Sequence, residues 1–253
     1  CALPILFWAA RKISSFITMV GVFLQLPPIC VADNDTAKKW LGRSIFDILE
    51  INDVNRALED KRVFPLKTQY RMNPKIADIP NEFFYGKLLE HDQGTKQKLI
   101  YDAFSNEEPL VLVDTSSFNP WCSRLSIGGR YNIYHALVST AISRELINEN
   151  KVESVGIATP YRHQARLIQK IAEDWDIGRQ VRINTVHSFQ GGESDVIILD
   201  CVEGPGVNHW SMLDDQRSTD NDARKLLNVA LTRAKCKIYI VAHQEHLFSK
   251  LSK

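Results

Sequence analysis

Short apolar runs alternate with longer amphipathic stretches over most of the chain, beginning near residue 61. The apolar runs consist largely of Val, Ile and Leu without polar interruptions, which is typical of strands buried on both faces. Stretches of about ten to fifteen residues with helical periodicity separate them. This alternation predicts an α/β fold in which a parallel β-sheet is sandwiched by helices. The predicted strands are residues 63–66, 110–114, 154–158, 181–186, 195–202 and 237–242, and the predicted helices are residues 135–150, 163–175 and 222–234.

The first 60 residues do not follow this alternation. Residues 2–12 predict a buried helix, and residues 15–21 (SFITMVG) predict a buried strand that ends in glycine. The longest apolar stretch, residues 16–32, contains Gln25 and a pair of prolines, which a membrane helix does not tolerate. We therefore expect no membrane partner and divide the chain into residues 1–60 and 61–253.

Composition narrows the class of protein. With 253 residues, 44% apolar and 24% charged, the chain is long enough to bury a substantial core. Its 31 Lys and Arg against 30 Asp and Glu leave a net charge of +1, so any contact with a polyanion must be local. The five cysteines include no CxxC pair, which argues against disulfides or a metal site and favours the cytoplasm.

Polar residues of chemical interest stand in five segments at the ends of predicted elements. Taken singly, each segment has a structural explanation. Gln25 is compatible with a turn cap, Arg233 with a cation at a helix end, and Glu193 with a residue beside a glycine turn. Because ligands of parallel sheets bind beyond the carboxyl ends of the strands, we expect the chemistry at that edge. The five segments are GVFLQLPP (21–28), QYRM (69–72), ATPYRHQ (158–164), TVHSFQGGE (185–193) and NVALTRAK (228–235).

The order and spacing of these segments resemble the later motifs of superfamily 1 helicases, specifically the Upf-like group that moves 5′ to 3′. The resemblance extends from about residue 18 to residue 243. It implies that residues 61–253 are the second RecA-like domain, with the fold of P-loop NTPases, and that residues 1–60 are the end of the first. It also implies an ATP-dependent helicase or translocase acting on single-stranded DNA or RNA.

Three residues are implied by this resemblance to act on the γ-phosphate of ATP. Arg71 and Arg233 stand where the family has two arginines that reach the phosphate from the second domain. Arginine suits this place because its planar fork stays charged and binds phosphate in a bidentate way. Gln25 stands in the place of the family's γ-phosphate sensor.

The same resemblance implies a binding site for the adenosine part of ATP. Tyr70 takes the place of the residue that stacks on adenine, and Glu193 the place of the acceptor for the ribose hydroxyls. Gln190 and Gly191 form the turn that presents the glutamate, because glycine adopts backbone angles that other residues resist.

Contacts with nucleic acid are implied for the remaining motif residues. Thr159 and Thr185 match threonines that contact the nucleic-acid backbone, which hydroxyls bind without reading sequence. Tyr161 is compatible with a place along the same groove or with the start of a helix. His187 fits a hydrogen-bonding role better than that of a general base.

Several parts of a complete motor are missing from this sequence. It contains no GxxxxGK[ST] phosphate loop, and no acidic pair precedes residue 21 to hold Mg²⁺. Both ATP and Mg²⁺ are therefore expected to need the first RecA-like domain of the same protein, and this chain alone is expected to be inactive. A lone strand at residues 15–21 is expected to pack on the second domain, exchange between copies or be poorly ordered.

Two alternatives stay open at this point. The family has GD where this chain has Gly21 and Val22, so an aspartate that orders the sensing turn is absent. A nucleic-acid-binding or partner-docking module that keeps the helicase shape without unwinding would also explain the motifs. The other alternative is a nucleotide-binding structural domain with no polynucleotide partner.

Overall fold

The computed structural model describes residues 12, 15–26, 34–100, 102, 104, 107–126, 128–149, 152–207 and 222–251. Of the helix predicted at residues 2–12, all but Lys12 lies outside the described residues. The strand predicted at residues 15–21 is wrong, since these residues are described without a strand. An extended segment becomes a strand only when a neighbouring strand pairs with its backbone groups in a regular ladder.

Three short helices follow: α1 (Asp35–Leu41), α2 (Ile45–Ile48) and α3 (Val54–Glu59). Each begins after a polar residue whose side chain accepts a hydrogen bond from a backbone amide in the first turn, as N-caps do. The strand predicted at residues 63–66 is also wrong. Phe64 and Leu66 are 86% and 75% exposed, so this apolar run is not part of the core.

The described strands are β1 (Thr68–Gln69), β2 (Glu90–His91), β3 (Leu110–Asp114), β4 (Ser123–Arg124), β5 (Arg130–Tyr131), β6 (Val155–Thr159), β7 (Val181–Thr185), β8 (Ser194–Asp200) and β9 (Ala234–Ala242). Within the described residues they form one large sheet and two small ones. The large sheet has five parallel strands in the order β3, β9, β8, β6, β7, which confirms the predicted α/β class. The short β1 and β2 pair in parallel, and β4 and β5 form an antiparallel hairpin.

Helices cover both faces of the large sheet. The remaining described helices are α4 (Pro74–Phe83), α5 (Ile133–Asn148), α6 (Arg162–Asp174), α7 (Asp222–Leu231) and α8 (Gln244–Leu251). In β8, Ile197 and Leu199 join a buried cluster with α4 and α7, whereas Val196 and Ile198 join a second cluster with α5 and α6. Successive side chains of a strand point to opposite faces, so the continuous apolar run of β8 supplies both cores.

Of the helices described above, none is both long and apolar enough to cross a membrane.

Candidate functional site

The motif residues lie at both edges of the parallel sheet. Glu193 immediately precedes β8 and Arg233 immediately precedes β9, so both stand at the amino edge. The amide of Ser194 donates to the Arg233 carbonyl at 3.0 Å, which holds the two segments side by side. The expectation that all the chemistry would lie at the carboxyl edge is therefore wrong for this cluster. Thr159 and Thr185, the last residues of β6 and β7 and partners in register, lie at the carboxyl edge, and Tyr161 follows the end of β6 there.

Arg71 joins the cluster at the amino edge although it comes from a distant part of the chain. Its Nε lies 2.6 Å from Oε2 of Glu193, and its Nη1 donates to the Thr232 carbonyl at 3.2 Å. The guanidinium and the carboxylate are both partly exposed, so solvent screens their attraction. A bound anion can therefore displace the carboxylate at small cost.

Arg233 is more deeply buried than Arg71. Its three donor nitrogens bind the carbonyls of Val229 at 3.0 Å and Gly192 at 3.1 Å and the hydroxyl of Thr232 at 3.0 Å. Burial, together with the nearby positive charge of Arg71, lowers the pKa of Arg233 to about 10. The group stays protonated at neutral pH, and the negative charge of a phosphate oxygen placed between the two arginines would favour the protonated form and offset the lowering.

Side chains outside the cluster fix the turn that carries Tyr70 and Arg71. The Gln69 side chain accepts from the amides of Arg71 at 3.0 Å and Met72 at 2.8 Å. Lys98 Nζ donates to the carbonyls of Tyr70 at 2.5 Å and Arg71 at 2.9 Å. The Tyr70 ring itself is 66% exposed, so its face is available for stacking. Lys98 has no sequence signal, since it lies in none of the five motifs.

The glycine turn before β8 is constrained by backbone conformation more than by space, since nothing lies within 4 Å of a Cβ built on Gly191. Gly191 has a φ of +85°, in the region that disfavours residues with a Cβ. A Cβ on Gly192 would lie 1.9 Å from Nη1 of Arg182. Gln190 uses its side chain differently from the expected turn role, because its Nε2 donates to the Leu26 carbonyl at 3.2 Å. This contact joins the turn to the GVFLQLPP segment.

Residues 24–26 of the GVFLQLPP segment pack against α7 and the large sheet. Leu26 is buried within the core cluster on the α4 and α7 face of the sheet. Nδ2 of Asn228 donates to the Leu24 carbonyl at 2.8 Å. These contacts hold the residues on either side of Gln25 in place.

Two residues at the carboxyl edge that were expected to contact nucleic acid are buried in this structure. The Tyr161 hydroxyl donates to the Glu203 carboxylate, and the ring is buried, so it does not lie on an open groove here. Its position as the N-cap of α6 agrees with the alternative role at a helix start. Thr159 is fully buried and its hydroxyl has no hydrogen-bond partner among the described residues, so its hydroxyl does not lie on an open surface. Thr185 is partly exposed, with its hydroxyl 3.2 Å from that of Ser188.

A buried polar network lies beneath this edge and was not predicted from the sequence. Asp200 accepts from Gln164 Nε2 at 2.7 Å and lies 3.4 Å from His135 Nδ1, and the opposite ring nitrogen of His135 is 2.9 Å from the Thr115 hydroxyl. All four are buried, so they tie the ends of β3 and β8 to α5 and α6. The available signal was the pair of acidic residues, Asp200 and Glu203, directly after an apolar strand. Elsewhere in the described residues, no group of three or more His, Cys, Asp or Glu could hold a metal ion.

Comparison with known proteins agrees with this arrangement. A sequence profile described as an AAA domain matches residues 41–245. An uncharacterized ATP-dependent helicase of Methanocaldococcus jannaschii is 29% identical, with 98% of this chain and 34% of that protein covered. The regulator of nonsense transcripts 1 homolog of Drosophila melanogaster is 30% identical, with 98% of this chain and 20% of that protein covered. The ATP-dependent helicase upf1 of Schizosaccharomyces pombe is 27% identical, with 98% and 25% covered.

The chain thus spans about a third or less of the length of these relatives. The profile match covers most of the chain, and the relatives with helicase names align along nearly all of it. The chain belongs to the AAA domain family and corresponds to the C-terminal RecA-like region of the Upf-like superfamily 1 helicases.

Proposed function

We propose that this chain is the C-terminal motor domain of an ATP-dependent DNA or RNA helicase or translocase. In this proposal residues 61–253 are the second RecA-like domain and residues 1–60 are the end of the first. The observation that carries the proposal is the arginine pair, Arg71 and Arg233, held together at the amino edge of β8 and β9 beside the exposed ring of Tyr70.

The arrangement suits the binding of a nucleotide between two domains. A transferred γ-phosphoryl group spreads negative charge over its oxygens, and fixed guanidinium groups stabilise that charge. Arg71 would exchange the Glu193 carboxylate for a phosphate oxygen, which frees Glu193 to accept from the ribose hydroxyls. Tyr70 would stack on the adenine. Bound Mg²⁺ neutralises phosphate charge, and the residues that hold it and the triphosphate would belong to the first RecA-like domain.

The partner at the opposite edge would be single-stranded DNA or RNA. Thr185 offers a partly exposed hydroxyl at the end of an edge strand, which is suited to a phosphate contact without base recognition. Thr159 would take part only if the end of β6 moves, because its hydroxyl is buried in this conformation. A net charge of +1 is compatible with such a local contact.

The described cysteines support a reducing compartment such as the cytoplasm. Cys122, Cys201 and Cys236 are free, and burial raises the pKa of Cys122 to about 12, so its thiol is unreactive. A fluorescent fusion of the full-length protein, imaged in cells, tests this placement.

Substitution of Arg233 tests the proposed role of the arginine pair. In a full-length protein that includes the first RecA-like domain, Arg233→Ala should lower ATP turnover by about 10³-fold or more and weaken ATP binding much less. Arg144→Ala is the matched control, because Arg144 stacks on Trp175 away from the site. Equal turnover of Arg233→Ala and wild type would remove the assignment.

A second candidate function is a nucleic-acid-binding or docking module that does not unwind. It is favoured by Val22, which stands where the family has an aspartate, and by the absence of a phosphate loop from this sequence. Strand separation by the full-length protein would exclude this candidate. ATP turnover by this chain alone would contradict the main proposal, which assigns the phosphate-binding half to another domain.

A further inference from the structure

Tyr85 lies outside the five motifs, in the turn that follows α4. Its amide donates to the Pro80 carbonyl at 3.1 Å, and the next residue, Gly86, has a φ of +59°. Asn81 fixes the far side of this turn, since its side chain accepts from the Leu89 amide at 2.8 Å and donates to the Leu89 carbonyl at 3.0 Å. The position of the Tyr85 ring is therefore set by a closed turn.

The hydroxyl of Tyr85 contacts Asn228 of the NVALTRAK motif. Asn228, which is fully buried, donates through Nδ2 to the Tyr85 hydroxyl at 3.0 Å and to the Leu24 carbonyl at 2.8 Å. Burial raises the pKa of Tyr85, so the hydroxyl stays protonated. The tyrosine thus holds the side chain by which α7 binds the GVFLQLPP segment.

The connection continues from Asn228 to the arginine pair. Thr232 donates to the Asn228 carbonyl through its amide at 3.0 Å and its hydroxyl at 2.8 Å. The same hydroxyl accepts from Arg233 Nη2 at 3.0 Å. A series of contacts therefore runs from the Leu24 carbonyl, next to Gln25, through Asn228 and Thr232 to Arg233, and Tyr85 holds the Asn228 side chain within it.

We propose that Tyr85 is a positioning residue that orients Asn228 and thereby couples the segment carrying Gln25 to Arg233. The inference rests on the proposed function, because it concerns the residues assigned there to the γ-phosphate. A displacement of residues 24–25 pulls on Nδ2 of Asn228 and, through the last turn of α7, on the guanidinium of Arg233. Nucleic acid that shifts this segment would thereby change the placement of the arginine.

The first test is Tyr85→Phe in the full-length protein. The substitution keeps the ring and removes only the hydroxyl, so kcat for ATP turnover stimulated by single strands should fall roughly tenfold, the equivalent of about one hydrogen bond. KM for ATP should change less than twofold, because Tyr85 is not assigned a contact with the nucleotide. Tyr131→Phe, which removes a hydroxyl from the β4–β5 hairpin, should match wild type. Unchanged stimulated turnover in Tyr85→Phe would overturn the inference.

A double-mutant cycle separates coupling from independent effects. If Tyr85 acts through the segment that carries Gln25, then Tyr85→Phe combined with Gln25→Ala should lose no more turnover than the more damaging single substitution. Losses that multiply would show that the two side chains act separately, and would also overturn the inference.

Hydrogen exchange distinguishes failure of this inference from failure of the proposed function. Peptides covering residues 21–26 should exchange at least about threefold faster in full-length Tyr85→Phe than in wild type, since the segment loses one of its ties. If wild type lacks ATP turnover, the proposed function fails, and exchange still tests the tie. Equal exchange in the two proteins would mean that Tyr85 does not hold the segment.

Discussion

Replacement of Tyr161 by phenylalanine tests whether this residue serves the fold or the nucleic acid. Its hydroxyl donates to the Glu203 carboxylate, which is fully buried and also paired with Arg130. Phenylalanine keeps the ring and removes the donor. The carboxylate then retains the guanidinium but loses a charge-assisted hydrogen bond in a place from which water is excluded.

The expected loss can be estimated from this geometry. A hydrogen bond to a charged group contributes about 1.5–3 kcal/mol, so we expect Tyr161→Phe to lower the free energy of unfolding by about 2 kcal/mol. Glu203→Gln should lower it by about 3–5 kcal/mol, because the buried guanidinium of Arg130 then lacks its carboxylate. Urea titrations followed by tryptophan fluorescence measure both losses as shifts of the midpoint at constant slope.

Two comparisons complete this experiment. Lys170→Ala removes an exposed pair with Glu173 and should leave the urea midpoint unchanged. In the full-length protein, Tyr161→Phe should bind a single-stranded oligonucleotide as tightly as wild type at the same salt concentration. A large loss of affinity with an unchanged urea midpoint would refute the inward role of Tyr161.

Three further predictions concern the amino edge of the sheet. Arg71→Lys keeps the positive charge but removes the planar guanidinium that reaches Glu193. In a phosphate-release assay of the full-length protein, kcat for ATP should therefore fall at least about tenfold. An unchanged kcat would contradict the role assigned to Arg71. Gly191→Ala should lower the free energy of unfolding by about 1–2 kcal/mol, because a φ of +85° is strained for alanine, and an unchanged urea midpoint would argue against this turn. Burial by itself raises the pKa of Asp195, but its contacts with Lys235 and with backbone amides lower that pKa overall. The ionised carboxylate therefore stabilises the fold above the unfolded pKa, and this stabilisation is lost as pH falls through the folded pKa. The stability advantage of wild type over Asp195→Asn should therefore shrink in urea titrations below about pH 4, and a constant difference would refute this sign.

The sequence by itself determined the layers of the fold. Strands β6, β8 and β9 were predicted within a few residues because a strand buried on both faces needs apolar side chains at nearly every position. The edge strands β3 and β7 were also predicted, although each is partly exposed. Helix α4 was not predicted, since Pro74 and Pro80 mark it as irregular, although Pro74 occupies the first turn where proline is tolerated. The apolar run at residues 63–66 was mistaken for a strand because periodicity does not report exposure.

The partners of the site residues were decided only by the tertiary structure. The order of the motifs predicted that Arg71, Glu193 and Arg233 act at one nucleotide site. Their location at the amino edge follows from the fold, because β8 and β9 lie side by side in the sheet. Arg71 and Glu193 are 122 positions apart in the chain, a separation over which local patterns carry no information. The burial of Tyr161 and the contact of Tyr85 with Asn228 could not be predicted from the sequence for the same physical reason. The hydrogen-bond partner of a side chain depends on which elements pack together in the fold.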